Sequence, residues 1–151
     1  MRKTIKLAAL VMVFSIALST AACKKKKSYM KITPDEFQRK LKAEGYTVQE
    51  SDEKIDHVIR SFAAVSLSGV IAVYNMFETV DIANDYWEDF KEESFKQKDA
   101  GTLTACNVSE HEAYIEDTKM CSYLILVDEM LIIVIAVDKD SAEDCLDILG
   151  Y

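Results

Sequence analysis

The chain has 151 residues, enough for one domain and too few for two comfortable ones. Half of them are hydrophobic, so a core can form, but charge is split by region: the first 31 residues carry eight bases and no acid, which leaves 10 bases against 26 acids from residue 32 onward, a net of −16. A body this acidic repels phosphate backbones, which excludes nucleic acid as a natural partner and favours a solvated surface or cationic partners.

The head of the chain comes first. Arg2, Lys3 and Lys6 form a positive start, and Leu7 to Leu18 form an apolar run broken only by Ser15. Those 12 residues fall short of the roughly 20 that a membrane-spanning helix needs. A short apolar run with basic residues before it is the pattern of a secretory signal. Small residues follow at Ser19, Thr20, Ala21 and Ala22, and then Cys23.

The run Thr20-Ala21-Ala22-Cys23 resembles the lipobox of bacterial lipoproteins, with Thr20 standing where that class usually has Leu or another aliphatic residue. The resemblance covers residues 1–23 only. It implies a diacylglyceryl group on the Cys23 thiol, cleavage between Ala22 and Cys23, and attachment to the extracytoplasmic face of the cell membrane. Two other readings of the same residues are an ordinary signal peptide cut after Ala22 and an uncleaved signal anchor. Lys24 to Lys27 then make a basic tether, either a solvated spacer or a patch attracted to anionic headgroups. The expected organisation is a signal peptide at 1–22, a lipidated cysteine and tether at 23–31, and one acidic domain at 32–151.

In the body, Thr33-Pro34-Asp35-Glu36 reads as a capping box with Pro at the first helical position, and Ile32 with Phe37 as a hydrophobic staple. Phe37 and Leu41 share a face and Gly45 follows, which predicts a helix over 34–44. Tyr46 to Glu50 predict a short strand. A hairpin is expected at roughly 57–66 and 70–77 around Ser68-Gly69, although Ile55, Val58, Ile59 and Phe62 also fit a helical spacing. Val80 to Lys96 predict a helix with Ala83, Tyr86, Trp87 and Phe90 on its apolar side. Leu103 to Val108 and Glu112 to Glu116 are expected as short strands around Ser109-Glu110.

Cys121 to Val127 and Met130 to Val137 are expected to flank a turn at Asp128-Glu129. The last of these strands has no polar residue in either register, so it should be buried on both faces, by helices, a curled sheet or a second subunit. A final helix is expected over 141–149, capped by Asp140, with Ala142, Cys145, Leu146 and Leu149 as its apolar stripe. The pattern predicts an α+β fold: a mostly antiparallel sheet built from local hairpins, with three helices packed on it.

Little in the body points to chemistry. With Cys23 acylated, Cys106, Cys121 and Cys145 remain, and Cys106 with Cys121, placed on neighbouring strands, is the pair that a disulfide would join. No C-x-x-C, Gly-rich phosphate loop or G-x-S-x-G occurs. The two histidines, His57 and His111, lack the clustered partners of a zinc site, and a Cys106–His111 dyad competes with the simpler reading of a surface histidine near a strand cysteine. Asp85, Glu88, Asp89, Glu92 and Glu93 read as a solvated helix face, and Tyr86, Trp87 and Phe90 as core before pocket. No catalytic residue, metal or cofactor is therefore assigned. The expected function is a non-catalytic module binding a ligand, peptide or envelope protein. The alternatives are an assembly protein that dimerises through its apolar sheet and, last, a small hydrolase or thiol enzyme. The sequence leaves the oligomeric state open.

Overall fold

The structure is a computed structural model that describes residues 29–151. The signal-like segment, the Ala22–Cys23 junction and the lysine run lie outside those residues. The described chain runs α1 (Pro34–Ala43), β1 (Thr47–Glu50), β2 (Val58–Val65), β3 (Ile71–Phe77), α2 (Val80–Asp99), β4 (Ala105–Val108), β5 (Glu112–Glu116), β6 (Cys121–Val127), β7 (Met130–Ala136) and α3 (Lys139–Leu149). The fold is α+β. Neighbouring hairpins join into one seven-stranded sheet, antiparallel at every pairing, in the order β1-β2-β3-β7-β6-β5-β4.

Local chemistry explains most of the boundaries. Thr33 caps α1: its hydroxyl accepts from the Glu36 amide at 3.2 Å, and the Glu36 carboxylate accepts from the Thr33 amide at 2.8 Å. The helix stops at Ala43, with Glu44 as its C-cap, one residue before the expected end. The hairpin at 58–77 turns through Gly69, whose φ of +89° is open to glycine at little cost. The alternative helix around residues 53–63 does not form. His57 takes a left-handed φ of +64° and β2 starts at Val58. The cap of α3 is Asp138, not Asp140: the Asp138 carboxylate accepts from the Ser141 amide at 2.8 Å, and the helix begins two residues earlier than expected. Leu103 is buried in the loop before β4 instead of opening the strand.

The decisive feature of the packing is the place of β7. It lies between β3 and β6, in the interior of the sheet; helices α1 and α3 cover one of its faces along its length, and α2 covers the other at its Leu131 end. On one side α1 and α3 bring Phe37, Leu41, Ala142, Cys145, Leu146 and Leu149 against Phe62, Tyr74, Ile125, Ile132 and Val134. On the other side α2 brings Ala83 and Trp87 against Phe77, Leu124, Leu126 and Leu131. The expected burial on both faces is thus met fully on the α1–α3 side and only in part on the α2 side, where Ile133 and Ile135 stay partly exposed.

Across the α2 side of the sheet the register aligns Cys106, Ile115, Ser122, Ile135, Ile71, Val65 and Thr47 in one row. The next row holds Val108, Ala113, Leu124, Ile133, Val73, Ala63 and Gln49. Neither row contains a charge. Helix α2 buries Leu124 and Ala113, while Ile71, Val73, Ile133 and Ile135 stay partly exposed and Val65 is exposed. Ser61 and Asn75, both buried on this side, satisfy each other through a 2.7 Å hydrogen bond.

Because the α1–α3 side of β7 is fully packed, truncation there should be costly. Ile132→Ala should lower the unfolding free energy by about 2–5 kcal/mol, from lost transfer energy and an unfilled cavity. Val137→Ala, at a residue 70% exposed just beyond the strand, should shift it by less than about 0.5 kcal/mol. Urea unfolding of both variants checks this, and equal shifts would contradict the packing.

Candidate binding cleft

A concave site lies where the β4–β5 hairpin extends beside the start of α3. Tyr114 on β5 and Tyr123 on β6 are cross-strand partners, and their rings sit 4.8 Å apart at 47°. They form the floor of a cleft of about 430 Å³, lined also by Asn107, Val108, Ser109, Glu112 and Lys139. A smaller hollow of about 260 Å³ continues past Tyr123 along α3, between Glu143, Leu146, Asp147 and Tyr151. Alternation along β5 places Glu112, Tyr114 and Glu116 on one face.

Each tyrosine hydroxyl here donates to a carboxylate. Tyr114 reaches Glu116 at 2.7 Å, Tyr123 reaches Glu143 at 2.8 Å, and Tyr29 bonds to Glu112. Burial and these carboxylates push all three hydroxyls upward, Tyr29 to about 12. They therefore stay neutral at ordinary pH and present their ring faces beside negative charge. One ammonium group already exploits this. Lys139 Nζ lies 5.7 Å from the centre of the Tyr114 ring and 3.3 Å from Glu143 Oε1. The quadrupole of an aromatic face attracts a cation held in this way.

The start of the described chain is bound to the body at several points and lines a separate hollow with His111, Val127 and Asp128. The Tyr151 hydroxyl donates to the Met30 carbonyl at 2.6 Å, and the Tyr74 hydroxyl donates to the Ile32 carbonyl at 3.2 Å. Lys31 pairs with Glu129. The Tyr29 ring packs 5.9 Å from that of His111. These contacts fix Tyr29 beside the β4–β5 turn, Met30 against Tyr151, Lys31 at the β6–β7 turn and Ile32 against Tyr74.

The residues considered from sequence do not assemble into a reactive site. Cys106 and Cys121 are free thiols, and no disulfide joins the pair that the sequence offered. The strands are not neighbours: β5 lies between them, so the residues are about two strand spacings, roughly 10 Å, apart. They also point to opposite faces, since Cys106 shares the row of Ile115 and Cys121 that of Glu116. A disulfide needs Cα atoms within about 7 Å. Cys145 is buried in the α1–α3 core. Burial raises all three thiols, which suppresses the reactive thiolate.

Cys106 and His111 lie at different ends of the β4–β5 hairpin. Three residues of strand rise from Cys106 to Ser109 alone take up roughly 10 Å. His57 bonds instead to Glu78 at 3.2 Å. On α2, Glu88 pairs with Lys91 and Glu92 with Lys96, and no metal-ligating group of three or more is found among the described residues. Trp87 is buried and donates to the Ser109 carbonyl at 3.1 Å, with Phe90 stacked on it at 5.5 Å. Tyr86 remains partly exposed against Phe77.

Sequence reasoning missed the cleft itself. A signal was present in the alternation Glu112-x-Tyr114-x-Glu116 and in Tyr123 on the next strand, but nothing in the sequence gives the register that stacks the two rings. Compared with known proteins, the chain matches no family model, no curated protein and no solved structure.

Two measurements follow. Tyr29, Tyr46, Tyr74, Tyr114, Tyr123 and Tyr151 all bind their protons more tightly than a free tyrosine, whose value is 10.0. Their contribution to stability is full below that value and is lost as pH rises through the folded-state values. The urea midpoint should therefore fall steeply from pH 10 toward about 12, while tyrosinate absorbance lags behind that of the unfolded chain. Thiol titration should find Cys106 slow to react in the native protein, and Cys121 and Cys145 silent until the chain unfolds. Fast reaction of either buried thiol would contradict the core described above.

Proposed function

We propose that this chain is a lipid-anchored lipoprotein on the extracytoplasmic face of a bacterial cell membrane, and that its domain is a non-catalytic module binding a ligand, peptide or envelope protein. One observation carries the reading: a basic start, a 12-residue apolar run and small residues end at Cys23, directly before four lysines. An acylated cysteine explains that order, and two acyl chains on one residue give stable attachment where a single chain does not. Among the described residues no helix is long and apolar enough to cross a membrane, so attachment of the module would rest on the head of the chain.

The position of Tyr29 supports a module held close to the bilayer. Six chain steps separate Cys23 from Tyr29, and full extension allows about 20 Å. Binding is supported by the tyrosine cleft, which offers aromatic faces, carboxylates and donors in one concavity. The separation of Cys106 from His111 argues against thiol chemistry. A second reading, self-association, is favoured by the charge-free rows on the α2 side. Strand β7 itself is interior and has no free edge, so the contact would use Val65, Ile71, Val73 and Ile135 instead.

Intact-mass analysis of protein from native membranes tests the anchor. The expected chain begins at Cys23 and carries a diacylglyceryl group, and Cys23→Ala should appear in the aqueous phase. An unmodified N-terminus at any other residue would overturn the reading. Light scattering of the detergent-solubilised protein separates the monomeric module from the self-associating one.

A further inference from the structure

We draw no further inference here: the strongest candidate, the apolar sheet face left open beside α2 at Val65, Ile71, Val73, Ile133 and Ile135, carries nothing because nothing in the structure shows what covers it.

Discussion

A strand with no polar residue on either face is the constraint around which this molecule is arranged. Met130 to Ala136 cannot border water on any side without losing burial free energy at about 25 cal/mol per Å². The chain resolves this by making β7 interior. The first three strands form one antiparallel unit and the last four another, and the β3–β7 pairing fuses them. Helices then cover one face fully and the other in part, and the connections decide which. Helix α2, linking the two units, crosses one face, while α1 and α3, from the two ends of the domain, meet on the other. Their meeting is fixed by a polar contact as well as by apolar packing. Lys40 Nζ donates to the Leu149 carbonyl at 2.7 Å, where a cation suits the end of a helix.

The cleft is a by-product of that arrangement. Helices α1 and α3 cover the part of the sheet around β2, β3, β7 and β6, and the β4–β5 hairpin runs on past α3. Tyr114 and Tyr123 lie at the boundary, Tyr114 half-buried and Tyr123 buried beside it. A tyrosine suits such a boundary because its ring is apolar and its hydroxyl needs a partner. Glu116 and Glu143 supply those partners. The tyrosine–carboxylate bonds hold the walls, and the Tyr114 ring carries the Lys139 ammonium on its face.

The reading of the protein as a tethered module links its oppositely charged halves. A basic head is joined through a few residues to a body of net −16. On that reading an anionic bilayer would attract the head and repel the body, while the short tether would limit how far the body can retreat.

Local signals alone determined much of this molecule. The capping box at Thr33–Glu36, the turn at Gly69, the doubly apolar Met130–Ala136 and the stripe on α3 each sit within a few residues of chain, and each formed as its chemistry required. The lipobox resemblance at Cys23 is equally local. The tertiary structure decided what depends on pairs far apart in sequence. It placed β5 between Cys106 and Cys121 and so kept those thiols apart, and it stacked Tyr114 on Tyr123 and brought Tyr29 to Glu112. It also moved the α3 cap from Asp140 to Asp138, two acidic residues that the local pattern does not separate. The physical reason is that periodicity tells which face of a strand is apolar but not which strand will be its neighbour, and a side chain's partners are set by that neighbour.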